Sequence, residues 1–233
     1  MERDVIKEEY LSGARTRHPV HTLCYGAVNM AVLCRVPASA KRLLDLGCGT
    51  GALGRELKEK TDREVFGVTY SREEAALAAK NLDRVIVSDL NDFDPVDLGE
   101  FDCIICSHVL EHLYQPEQLL IRLRPQLSFG GRLIVALPNI LFWKQRIQFL
   151  RGHFRYTEGG LMDSTHFRFF DYQTGPQLLK TAGFKVVEFS GQGSFPQPLF
   201  RSLAPKVARI VDSAACRLLP GLFGHQFIIV GKV

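Results

Sequence analysis

The stretch from Leu43 to Gly54, LLDLGCGTGALG, constrains the fold more than any other part of the chain. Apolar residues run into three glycines at alternate positions, Gly47, Gly49 and Gly51, and a helix-forming segment follows. A strand that turns on glycine into a helix opens a doubly wound sheet, and the missing Cβ atoms let a ligand approach the main chain. Read alone, the stretch leaves two ligands open, a dinucleotide or another adenosyl compound. The spacing Gly47-x-Gly49-x-x-Ala52 satisfies even the loose dinucleotide fingerprint.

The same rhythm continues downstream. RLLDLG, EVFGVTY, RVIVSD, FDCIICS and GGRLIVALP read as strands, interleaved with the helical patterns GALGRELKEK, REEAALAAKN and PEQLLIRLRPQL. Ser71 and Glu74 form a capping box at the second of these helices, and Pro116 opens the third. Such alternation predicts βαβ units on a parallel sheet. The helical segments ILFWKQRIQFL and TGPQLLKTAG come next, then the strands FKVVEFS and HQFIIVGKV, which predict an antiparallel hairpin at the sheet edge. Residues 1–40 read as an N-terminal helical cap and 41–233 as the main domain. Within that domain, about 141–171 is an aromatic and charged insertion, read as a lid over an acceptor pocket, and about 199–223 is a basic amphipathic helical insertion before the last strand.

Composition removes several classes. The chain of 233 residues is 46% hydrophobic and 23% charged, the balance of a soluble globular protein. Its net charge of +4 is mild and its basic residues are scattered, so no nucleic-acid partner is expected. No apolar run approaches the ~18 residues that span a bilayer. The opening MERDVIKEEY lacks the apolar core of a secretory signal, and a cytoplasmic location is the expectation. Cys103 and Cys106 make a C-x-x-C inside an apolar strand pattern, without a second ligand pair, and read as buried small hydrophobes.

Three observations oppose a dinucleotide. Asp45 stands two residues before the first glycine, where its carboxylate can accept from an amino group but would repel a pyrophosphate. Thr69 occupies the end of the second strand, where a dinucleotide fold keeps its ribose-binding acid. Asp89 ends the third strand, where a carboxylate or its neighbouring amides can read an adenine amino group.

LLDLGCGTG, VSDL, FDCIICSHVLEHL and GGRLIVALPN resemble, in order and spacing, the motifs of class I S-adenosylmethionine-dependent methyltransferases, over about Arg42 to Val187. SHVLEHL, PNI, DSTHFRFF and AGF look more narrowly like a bacterial small-molecule subgroup linked to sugar, cell-envelope or secondary-metabolite pathways. The resemblance implies a Rossmann-like seven-stranded sheet in the order 3-2-1-4-5-7-6, with strand 7 antiparallel. It implies S-adenosylmethionine as cofactor, with the methionine tail near Asp45, Gly47, Cys48, Gly49 and Gly51 and the adenine near Ser88, Asp89 and Leu90. Thr69, Tyr70, Ser107 and His108 complete the expected cofactor contacts. The family usually carries Asp or Glu where Thr69 stands, which predicts weaker or rearranged ribose binding and a gain on Thr69→Asp.

Methyl transfer to a hydroxyl or ammonium needs a proton acceptor. His166, in DSTHFRFF, is the first candidate, and His108, at the end of the fourth strand, is the second. His112, Trp143, Tyr156, Asp163, His166 and Arg168 are expected to line the acceptor pocket. Asp163, His166 and Arg168 read equally as a network that pins the lid, and Glu111 with His112 as capping or cofactor-orienting groups. No cluster demands a metal, and none is expected. The expected function is transfer to oxygen or nitrogen of a small molecule such as a sugar, envelope precursor or secondary metabolite. Two alternatives stand beside it: a membrane-surface enzyme acting on a lipid-linked substrate, and a non-catalytic binding protein of the same fold. A small-molecule acceptor, peripheral membrane contact and a homodimer are the expected partnerships.

Overall fold

The structure, a computed structural model, describes residues 28–59 and 61–233. Most of the expected N-terminal cap therefore lies outside the described residues, which hold from it only α1 (Met30–Leu33). The repeating unit then unfolds as β1 (Arg42–Leu46), α2 (Ala52–Lys58), β2 (Glu64–Thr69), α3 (Arg72–Ala78), β3 (Arg84–Val87), β4 (Phe101–Ser107), α4 (Pro116–Leu123) and β5 (Leu127–Pro138). After it come α5 (Trp143–Leu150), α6 (Thr174–Thr181), β6 (Lys185–Gly193), three helices α7 (Pro198–Leu203), α8 (Pro205–Leu218) and α9 (Pro220–Phe223), and β7 (Gly224–Lys232).

The strands form one sheet in the order β3-β2-β1-β4-β5-β7-β6. All pairings are parallel except those of β7, which runs antiparallel to both β5 and β6. The hairpin of β6 and β7 thus adds to the sheet as expected, with the later strand inserted inside. Side-chain alternation with a period of two splits the core into two layers. Leu44, Leu46, Ile104, Cys106 and Val135 face α4 and α6, while Leu43, Cys103, Ile105 and Ile134 face α2 and α3. Cys103 and Cys106 are both fully buried, on opposite faces, so their thiols cannot share a ligand.

Local chemistry sets the helix starts that frame the site. The Ser71 hydroxyl caps α3 by accepting from the Glu74 amide at 3.2 Å. The Glu74 carboxylate turns the other way and accepts from the Thr69 hydroxyl at 2.6 Å. In α8, Ala208, Ala215 and Cys216 pack inward, while Val207, Ile210 and Leu218 stay exposed. Among the described residues no helix is long and apolar enough to cross a membrane.

Candidate active site

Ligands of doubly wound sheets sit beyond the carboxyl ends of the parallel strands, at the point where strand order reverses. Here that point lies between β1 and β4. Beyond β1 the chain turns on Gly47, Gly49 and Gly51, at φ +72°, +52° and +78°. The amides of Gly47 and Cys48 both donate to the Val68 carbonyl, at 2.9 and 3.0 Å, which holds the turn against β2. A Cβ on Gly47 would stand 2.8 Å from Cγ2 of Val109. This glycine is thus required by its backbone conformation and by the protein's own packing, before any ligand arrives. Gly47→Ala should lower stability by about 2–5 kcal/mol, the sum of left-handed strain and overpacking, as read by chemical denaturation.

Asp45 ends up 3% exposed beneath the turn, and no donor among the described residues meets its carboxyl. Burial pushes it up to about 7. Burial also pushes the Cys48 thiol up, and the carboxylates of Asp45 and Glu74 push it further, which marks Glu74 as a neighbour of the turn. Asp45, Gly47, Cys48, Ser107, His108, His112, Asp163 and His166 line one cavity of about 770 Å³, large enough for a nucleoside and a second small molecule. Its outer wall is the expected lid, from Lys144 on α5 to Met162 and His166 in the irregular segment behind it.

Other candidates fall outside that lining. Thr69 is buried against Glu74, Tyr70 is 75% exposed, and Leu90 packs into the core. Ser88 and Asp89 stand at the same sheet edge: the Ser88 amide donates to Thr69 at 3.0 Å, and Asp89 closes a turn by accepting from Asn91 at 2.8 Å. Trp143 points away, its indole N–H donating to the Ser194 carbonyl at 2.8 Å. Tyr156 is exposed and packs edge-on against Phe154. Arg168 clamps the lid to the strand-four loop by donating twice to the Tyr114 carbonyl, at 3.0 and 2.6 Å. None of these three side chains lines the cavity.

His108 sits in the left-handed region at φ +54°, a strained conformation for a residue with a Cβ. Its Nε2 faces Gln226 Oε1 at 2.7 Å and its Nδ1 faces Glu111 Oε1 at 3.3 Å. Gln226 Oε1 also accepts from Asn29 Nδ2 at 3.0 Å. Both ring nitrogens therefore face acceptors. Burial alone would depress this histidine, but the Glu111 carboxylate and the Gln226 bond outweigh it and hold the imidazole above its ordinary range.

The segment expected as a lid packs onto the single turn Leu110–His112, where the Glu111 carbonyl accepts the amides of Phe167 and Arg168 at 2.9 and 3.0 Å. The fold thereby gathers Glu111, His112 and His166 into one cluster, a grouping that sequence reasoning missed because the partners lie in separate segments. Burial, more than the opposing charge of Glu111, holds His166 below its ordinary value. Its Nδ1 faces the Leu161 carbonyl at 3.3 Å, which puts the proton there and leaves Nε2 with a free lone pair. Glu74, legible only as a cap in the linear sequence, lies close enough to the glycine turn to act on the Cys48 thiol.

Residues 27–189 match the family described as Methyltransferase domain. Among curated relatives, the ubiquinone biosynthesis O-methyltransferase of Thiobacillus denitrificans is 30% identical over 112 residues, covering 45% of this chain and 47% of that one. The ajmaline N-methyltransferase of Rauvolfia serpentina is 29% identical over 107 residues, covering 43% of this chain and 36% of that one. The chain thus spans less than half the length of either relative. A solved S-adenosylmethionine-dependent methyltransferase of Archaeoglobus fulgidus has the same fold, with a TM-score of 0.58 at 21% identity over 84% of this chain and 87% of that one. With a match that extends over most of its length, from the N-terminal segment into β6, this chain belongs to the methyltransferase-domain family.

Proposed function

We propose that the protein transfers a methyl group from S-adenosylmethionine to an oxygen or nitrogen of a small-molecule acceptor, in the class of sugars, envelope precursors or secondary metabolites. The observation that carries this reading is the buried Asp45 carboxyl, unmet by any donor among the described residues, beside a glycine turn that opens into the cavity of about 770 Å³. A carboxyl in that state calls for a cation, and the methionine ammonium of this cofactor is one; a pyrophosphate would be repelled. When bound, the cofactor supplies a methyl already made electrophilic by its sulfonium.

The protein's part is then to hold and aim. Asp45 takes the ammonium, the bare main chain of the glycine turn lies along the methionine moiety, and Glu74 takes the ribose hydroxyls that Thr69, committed to Glu74, does not. Asp89 and the main chain beside it serve the adenine end. The lid from about 141 to 171 keeps the acceptor in front of the methyl, and such alignment supplies on the order of 7–11 kcal/mol of a barrier. The exposed Ile210 and Leu218 of α8, beside Arg209 and Arg217, support peripheral contact with anionic lipid as a secondary feature. Flotation with phosphatidylglycerol vesicles should carry part of the protein upward, and Ile210→Glu should abolish it.

Titration calorimetry with S-adenosylmethionine and its demethylated product tests the main reading. Binding of both with one equivalent each is expected. Binding of neither would favour the non-catalytic alternative.

A further inference from the structure

We propose that Glu111, His112 and His166 bind a divalent transition-metal cation at the acceptor end of the cleft. One ligating atom from each residue lies within 4.8 Å of the others. Two imidazoles and one carboxylate suit zinc, iron(II), cobalt(II) or manganese(II). Drawing the donors in to bonds of about 2.0–2.2 Å takes movements of roughly an ångström, which side-chain rotation supplies.

Three features separate this cluster from an accidental grouping. Glu111 is 1% exposed and its Oε2 is fully enclosed without a hydrogen-bond partner. Leaving a carboxylate oxygen so is unfavourable, and a cation removes the penalty. Both histidines are set in the tautomer a metal needs. His112 Nδ1 faces the Thr165 carbonyl at 3.2 Å, and His166 Nδ1 faces the Leu161 carbonyl at 3.3 Å. Each carbonyl takes the Nδ1 proton and leaves the Nε2 lone pair bare, the outer-sphere arrangement that orients histidine ligands. Asp163 extends this support, since its Oδ1 accepts from the Thr165 hydroxyl at 2.7 Å and that hydroxyl lies 3.0 Å from His112 Nδ1. Finally, the main-chain bonds from Phe167 and Arg168 to the Glu111 carbonyl hold the lid histidine against the other two residues.

The cluster also lines the cavity, so a bound cation keeps coordination positions open toward a second molecule. Resting on the methyltransferase reading, the cation's use is to take the acceptor's hydroxyl as a further ligand. Coordination weakens the O–H bond, its proton leaves to water in the cleft, and the electron pair stays on the oxygen that faces the methyl. This makes the acceptor an oxygen nucleophile and His166 a ligand instead of a base.

The test uses the full chain, freed of metal by dialysis against EDTA and titrated with Co²⁺ by absorbance and with Zn²⁺ by calorimetry. One equivalent of each should bind. Glu111→Gln and His166→Ala should each weaken binding about 100-fold or more, while His153→Ala, on the same wall but outside the cluster, should bind as the parent does. If His166→Ala fails to fold, His166→Cys preserves a donor and should add a thiolate charge-transfer band to the Co²⁺ spectrum. No stoichiometric binding, binding indifferent to Glu111 and His166, or a Co²⁺ spectrum unchanged in His166→Cys would overturn the site. Calorimetry with S-adenosylmethionine on the same samples separates the two readings. Cofactor binding without metal binding removes this site alone, and metal binding without cofactor binding keeps the site but removes its acceptor role.

Discussion

Asp45→Asn is expected to weaken S-adenosylmethionine binding about 30- to 300-fold at pH 8, while the free protein becomes more stable at that pH. Both effects come from one buried carboxyl. In the folded chain it keeps its proton up to about 7, against an ordinary value of 3.8. The unfolded chain releases that proton near the ordinary value, so between these limits the folded state holds one proton more. Stability is then greatest below pH 4 as far as this group is concerned, and falls as pH rises toward 7, by about 4 kcal/mol in all. Asparagine has no proton to lose. Its melting temperature should stay flat across pH 5–8 where that of the parent declines, apart from slopes shared by both.

Cofactor binding reverses the sign. An ammonium needs the ionised carboxylate, which the free protein holds only above about 7. Below that pH each binding event must release a proton, so the dissociation constant should rise roughly tenfold per pH unit. In Asp45→Asn this slope should vanish. A parent affinity that is level from pH 5 to 8, or an asparagine variant that binds as tightly, would remove Asp45 from the cofactor site.

The sheet was legible because its determinants are local. Alternating apolar residues, the glycine turn after Leu46, the Ser71 cap and Pro116 each act within a few residues, and the elements they predict appear at those places. The position of β7 between β5 and β6 came from family resemblance, since hydrophobic runs alone do not say which neighbour a strand takes. The acceptor side was harder. Trp143 and Tyr156 stand out in the sequence by aromatic character, but their direction follows from a carbonyl at Ser194 and a ring at Phe154 that no spacing rule connects to them. Glu111 and His112 stand in a single turn after β4, and only the amides of Phe167 and Arg168 bring His166 to them. Long-range main-chain bonds of this kind leave no periodic trace in a sequence. The surroundings of His108 are similar, for its Nε2 meets Gln226 in the last strand.

Thr69→Asp shows the same limit most sharply, because the linear reading and the structure predict opposite outcomes. From the sequence, an aspartate there restores the family's ribose ligand and tightens cofactor binding. In the folded chain Thr69 is 3% exposed and donates its hydroxyl proton to Glu74 Oε2 at 2.6 Å. An ionised aspartate has no proton to donate and sets a second carboxylate against the first. Two such groups so close in a buried place cannot both stay charged, and the mismatch should lower stability by about 3 kcal/mol or more at pH 7.5. Cofactor affinity should fall with it, since Glu74 would be displaced from the ribose. The like-charge pair raises the affinity of one carboxylate for a proton, so the loss should shrink as pH falls toward 5. Adding Glu74→Gln should restore most of the stability, because the amide supplies the missing donor. Glu74→Gln alone should weaken cofactor binding about tenfold, the difference between a charged and a neutral acceptor for a hydroxyl. If Thr69→Asp melts with the parent and binds S-adenosylmethionine more tightly, the ribose is held from the end of β2 after all and Glu74 is only a helix cap.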